Sequence, residues 1–136
     1  MSAISIRNVT KRYGSTPALN GLSLAIARGE MFGLIGPDGA GKTTAMRILT
    51  CYLPPTGGTA RVAGYDVFAE PMEVKKRVGY LPETPPLYPD MTARDYLEFC
   101  ARIKGVPARE RRGRVADAIE KCRVGDVRDK LIAKLS

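Results

Sequence analysis

GPDGAGKTT, residues 36–44, decides how this chain is read. The stretch satisfies GxxxxGK[ST], a pattern that chance would place in about one chain in a hundred of this composition. Its surroundings narrow that further. Met31 to Ile35 before it is a short apolar run of the kind expected for a strand buried on both faces. After it, Ala45, Met46, Ile48, Leu49 and Leu53 recur at helical spacing until Pro54-Pro55, predicting a helix from Thr43 to Leu53. Strand, glycine-rich loop and helix together predict a phosphate cradle. Gly36, Gly39 and Gly41 lack a Cβ, so the backbone can take φ values other residues avoid and turn its N–H groups toward phosphate oxygens. Lys42 is placed to reach the β and γ phosphates and Thr43 to offer a hydroxyl to Mg²⁺. The helix start adds roughly half a positive charge beneath them.

Working outward, residues 3–9 (AISIRNV) and 22–27 (LSLAIA) alternate apolar and polar with turn residues between, predicting two antiparallel strands. TARVA, residues 59–63, and VGYL, residues 78–81, read as further strands, with a short helix from Pro71 to Arg77. PETPPLYPD, residues 82–90, holds four of the chain's ten prolines and must be irregular. Beyond it the period becomes helical. Thr92 with Asp95 resembles a capping box, and Tyr96, Phe99, Cys100 and Ile103 would form the apolar face before Gly105. Pro107 opens a second helix to about Arg123, with Val115, Ala118, Ile119 and Cys122 as its buried stripe.

The bulk properties suit a folded, soluble chain. Of 136 residues, 44% are apolar and 26% charged, and no apolar stretch approaches the roughly 20 residues of a membrane-spanning helix. The alternating N-terminus reads as a strand, not a secretory leader. Cys51, Cys100 and Cys122 are widely spaced and the chain has no His, which favours buried thiols in a reducing cytosol over a metal set. The net charge of +8 is spread: residues 1–68 carry seven basic and three acidic side chains, and residues 69–136 fifteen and eleven. Nucleic acid is therefore not the expected partner, and Arg109, Arg111, Arg112 and Arg114 read as a solvated helix face.

With the loop placed, the whole chain resembles the ATP-binding domain of ABC transporters. The resemblance implies an α/β fold: a P-loop NTPase core with an N-terminal antiparallel β subdomain and part of a helical subdomain. Its divisions would be residues 1–82 for the β and core part, 83–90 for the linking loop and 91–136 for the helical part. It implies ATP and Mg²⁺ as ligands, with Gly36, Pro37, Asp38, Gly39, Ala40, Gly41, Lys42, Thr43 and Thr44 around the phosphates. Tyr13 in TKRYG matches an aromatic that stacks on adenine in the family. LPPTGGTARVAGYDV, residues 53–67, resembles the family's P-T-x-G turn and following strand pair. Glu83 in YLPE stands where the family usually has a Gln that touches Mg²⁺ and the attacking water. A carboxylate is a good hard-oxygen ligand, but it adds negative charge beside a triphosphate, and a plain loop carboxylate is the alternative.

YLPE also resembles the branch serving two-component exporters of drugs and lipids, the ABC-2 type. Leu87 and Tyr88 would then touch a membrane-spanning permease, or else pack against their own helices. KLS, residues 134–136, fits the start of the LSGGQ signature, in which Ser136 would cap a helix facing the ATP held by a second nucleotide-binding domain. The rest of that signature, the Walker B strand with its Asp and catalytic Glu, and the switch His do not occur in these residues. The resemblance thus implies an N-terminal fragment that would not hydrolyse ATP appreciably by itself and would leave Met31 to Ile35 without packing partners. The whole protein would be an ATPase subunit driving export, cytoplasmic and held to the inner membrane face through its permease. A non-transport ABC ATPase acting on ribosomes or DNA, and a nucleotide-binding module without turnover, are the alternatives.

Overall fold

The structure, a computed structural model, describes residues 2–135. The chain divides into two compact units, Met1–Tyr80 and Leu81–Ser136.

The first unit is built on a hairpin. Strands β1 (Ser2–Tyr13) and β2 (Thr16–Ala27) pair antiparallel, and Gly14 turns the chain between them at φ 60. Both strands run longer than their apolar alternation predicts, because the ladder continues through polar positions as far as the Tyr13 and Thr16 pair. Strands β3 (Gly57–Val62) and β4 (Tyr65–Asp66) complete a four-stranded sheet in the order β2-β1-β3-β4. Ile4 lies opposite Val62 and Ile6 opposite Ala60. One face of this sheet is covered by helix α1 (Lys42–Leu49), whose Ala45 and Ile48 join Ile6, Val9, Leu19, Ala60 and Val62 in the core. That packing is what holds the start of α1 beside β2.

Helix α1 ends four residues before the periodicity suggests. Thr50 Oγ1 donates to the Met46 carbonyl at 2.9 Å, Cys51 adopts φ 59, and the Tyr52 amide turns back to the Arg47 carbonyl at 2.8 Å. Leu53 still packs on the core, but from the turn instead of the helix. Ile48, 1% exposed, anchors the helix to the sheet. Ile48→Ala should cost the first unit about 2 to 4 kcal/mol through lost burial and a residual cavity, read as a lower urea midpoint with unchanged slope.

Two predicted strands do not form. Met31–Ile35 and Val78–Leu81 carry no strand pairing among the described residues, and Met31 and Ile35 are 99% and 95% exposed. A strand exists through a ladder of hydrogen bonds to a neighbour, and neither segment is a member of the one sheet among the described residues. A short helix α2 (Pro71–Lys75) buries Val74 against the same core.

In the second unit, helix α3 (Ala93–Ile103) is capped as predicted: Thr92 Oγ1 accepts from the Asp95 amide at 3.1 Å and donates to its carboxylate at 2.7 Å. Gly105 at φ 73 turns the chain into helix α4 (Ala108–Lys121). The buried stripe of α3 is not the expected one. Ala101 and Leu97 meet Val115 and Ile119 of α4, whereas Tyr96 and Phe99 pack on Tyr88 and Ile103 is 67% exposed. Both stripes have helical spacing, and only the position of α4 selects between them. Helix α4 stops at Lys121, which leaves Cys122 exposed; Cys51 and Cys100 are only half-buried, so none of the three thiols is enclosed as expected. Arg109 and Arg114 do lie on a solvated face, but Arg111 turns inward and donates from Nε to the Val106 carbonyl at 2.8 Å.

Candidate functional site

The glycine-rich loop wraps the start of α1. Gly39 and Gly41 take φ 82 and 94, the left-handed region that side chains resist. Gly36 does not need that region; its constraint is spatial, since a Cβ there would stand 3.2 Å from the Ala40 Cβ. Gly41 is the N-cap of α1. It offers no side chain to the first-turn amides, and no acidic residue sits in that turn. Those N–H groups have no intrahelical acceptor, so the helix start presents donors and positive potential to whatever lies in front of it.

In front of it is a cleft of about 340 Å³, lined from the loop and helix by Asp38, Gly39, Gly41, Lys42, Thr43 and Thr44. Its other wall is Thr16, Pro17 and Ala18 at the start of β2. Inspection of the sequence alone does not single out this second wall. The only hint is that Thr16 follows Tyr13 and the Gly14 turn so closely. The Lys42 ammonium folds back on the loop, donating to the Gly36 carbonyl and, at 2.7 Å, to that of Pro37. It thus ties the two ends of the loop together while standing at the cleft.

Tyr13 sits at the same end of the hairpin, directly opposite Thr16 in the ladder; the residue is 49% exposed, with the Lys11 Nζ 5.5 Å from its ring centroid. The aromatic is thereby placed one ladder position from the cleft wall. Glu83 belongs to the second unit, exposed in the irregular segment before α3. Ser136 lies outside the described residues. No group of three or more Cys, Asp or Glu side chains able to hold a metal occurs among the described residues. The hydroxyl of Thr43 beside Lys42 is instead the kind of single protein ligand that Mg²⁺ takes when phosphates supply the rest.

A glycine-rich loop folded over an uncapped helix start, with a lysine inside the loop and a cleft before it, defines the phosphate-loop class of nucleotide-binding folds. Comparison with known proteins narrows the class. The sequence profile of the ABC transporter family matches residues 19–136, and the chain belongs to that family. It is 37% identical over 135 residues to the daunorubicin resistance ATP-binding protein DrrA3 of Streptomyces coeruleorubidus, covering 99% of this chain and 43% of that protein. Over 136 residues it is 37% identical to the Nod factor export ATP-binding protein I of Burkholderia orbicola, covering 100% of this chain and 45% of that one. The chain therefore spans less than half the length of these relatives. A solved structure described as the ATP binding subunit of an ABC transporter superposes with TM-score 0.87 at 26% identity, over 99% of this chain and 56% of its own. The fold is accordingly the α/β ABC-type ATPase core, represented here by its antiparallel β part, the phosphate loop and helical elements.

Proposed function

We propose that this chain carries the ATP-binding site of an exporter's ATPase subunit, acting through a membrane-spanning permease of the ABC-2 type. The observation that carries the reading is the cleft before α1, where Lys42, Thr43 and the uncapped helix start face the same space. Phosphates entering it would take the Lys42 ammonium in place of the Gly36 and Pro37 carbonyls, and the first-turn amides would donate to their oxygens. Thr43 would hold the Mg²⁺ that accompanies the nucleotide, and Glu83 keeps the metal-ligand role that the family resemblance gives it. The bound ion would neutralise charge on the β and γ phosphates.

Residues from Gly36 to Thr44 make the phosphate site in this reading, and Tyr13 the base platform. Ser136 is assigned to the γ-phosphate of a second nucleotide-binding domain, which makes the working unit a dimer. The names of the relatives favour export, since they refer to drug resistance and Nod factor export. No described helix is long and apolar enough to cross a membrane. Attachment to the cytoplasmic membrane face is assigned to the permease, with the exposed Leu87 and Tyr88 as contacts.

The test is nucleotide binding followed by fluorescence of a labelled ATP analogue. Stacking on one base is worth about 1 to 3 kcal/mol, so Tyr13→Ala should weaken binding about 5- to 150-fold while Tyr13→Phe stays close to the parent. Equal affinity for all three proteins would remove Tyr13 from the site, and no binding by the parent would overturn the reading. Membrane association that appears only with a co-expressed permease would separate export from action on ribosomes or DNA.

A further inference from the structure

The end of the hairpin that carries Tyr13 is poorly held by its own ladder. The register of β1 and β2 shifts between Lys11 and Arg12, and Arg12 stands opposite Pro17, which has no N–H to give. On the other edge of β1, the pairing with β3 among the described residues ends at Thr10 opposite Gly57. Lys11, Arg12 and Tyr13 therefore lie past the last rung on that side.

The turn after α1 takes over from β3 there. The Thr56 amide donates to the Thr10 carbonyl at 2.8 Å, and the Arg12 amide donates to Thr56 Oγ1 at 3.0 Å. Lys11 Nζ donates to the Pro54 carbonyl at 2.7 Å. Two successive prolines, Pro54 and Pro55, restrict that stretch of backbone, so the carbonyl is a fixed anchor for a side chain that is otherwise flexible. Lys11 and Tyr13 are two positions apart in β1 and share a face of the strand. The ammonium held by Pro54 also stands over the Tyr13 ring, 5.5 Å from its centroid. Arg12 closes the turn beyond, with Nη2 donating to the Ser15 carbonyl at 2.7 Å.

We propose that Lys11 is a positioning residue for the base platform: anchored on Pro54, its ammonium braces one face of the Tyr13 ring and leaves the other for the base of the nucleotide. The proposal rests on the reading of Tyr13 as that platform. The brace limits the freedom of a half-exposed side chain, so less is lost when a base stacks on it. The cation also draws on the electron density of the ring, which favours an electron-rich base on the opposite face.

The test uses the intact chain and displaces a labelled ATP analogue with Mg-ATP or with magnesium tripolyphosphate, which has the phosphates without a base. Lys11→Met keeps the alkyl stem and removes the charge. It should weaken ATP binding about 2- to 5-fold, the range of an exposed cation–π contact, and leave tripolyphosphate binding and the urea midpoint unchanged. Lys11→Arg, which keeps a cation within reach of ring and carbonyl, should bind ATP like the parent. In a Tyr13→Ala background, Lys11→Met should cost nothing further, because the two residues act through one contact. Unchanged ATP affinity in Lys11→Met overturns the proposal. So does an equal loss for ATP and tripolyphosphate, an equal loss in Lys11→Arg, or the same loss repeated in the Tyr13→Ala background. If Tyr13→Ala itself leaves ATP binding unchanged, the platform reading fails and the proposal falls with it. If Tyr13→Ala weakens binding and Lys11→Met does not, the platform stands and only the brace is lost.

Discussion

Lys42→Ala is expected to weaken ATP binding by the chain at least about 100-fold while leaving its far-ultraviolet circular dichroism intact. Among the described residues the ammonium is the one cation lining the cleft, and in the structure it already makes two hydrogen bonds to the loop, to the Gly36 and Pro37 carbonyls. With nucleotide present, the same donors would meet phosphate oxygens. Charge-assisted hydrogen bonds contribute about 1.5 to 3 kcal/mol each, so losing two accounts for a factor of 100 or more. Lys42→Arg is expected to rescue poorly, because the planar guanidinium cannot take the place of a compact ammonium within a loop this tight. Titration calorimetry with Mg-ATP measures both variants, and an affinity within threefold of the parent for Lys42→Ala would show that the cleft is not the phosphate site.

Gly41→Ala is expected to be the most damaging single-methyl change in the loop. At φ 94 any side chain is strained, and the added Cβ would lie 2.5 Å from the Ala18 carbonyl oxygen and 2.6 Å from a Leu19 methyl. The first neighbour is backbone near the start of the edge strand β2 and cannot rotate away. Relief requires α1 to move off β2, which loosens Ala45 and Ile48 from the core and spreads the cleft between Thr43 and Pro17. A cost of about 2 to 4 kcal/mol to the first unit follows, with nucleotide affinity lost in parallel. Gly39→Ala separates the two causes. Its φ of 82 is similarly strained, but nothing stands within 4 Å of a Cβ there, so about 1 kcal/mol is expected. Urea melts of the two variants measure the difference. Equal midpoints would mean that the contact with Ala18 does not constrain the site.

The contrast between these two glycines marks how far the sequence can be read. GxxxxGK[ST] fixes Gly41 and leaves Gly39 among its free positions, and only the structure shows that the first is pressed against β2 while the second faces open space. The same holds for the site as a whole. The loop, its lysine and the helix after it are legible because all lie within about a dozen residues and each acts through its own backbone preference. The opposite wall, Thr16 to Ala18, carries no motif; it becomes part of the cleft because Leu19 packs with Ala45 and Ile48.

By itself, the sequence determined the phosphate loop, the hairpin, the Thr92 cap and, through resemblance, the family. These depend on short-range geometry: φ preferences, capping hydrogen bonds and the period of apolar residues. Tertiary structure alone decided that Leu97 and Ala101, and not Tyr96 and Phe99, face α4, that Val78 to Leu81 joins no strand ladder among the described residues, and that Arg94 meets Asp129. Each of these is a choice between locally equivalent arrangements. It is settled by a partner distant in sequence, because burial and strand pairing are properties of two surfaces and no single segment encodes both.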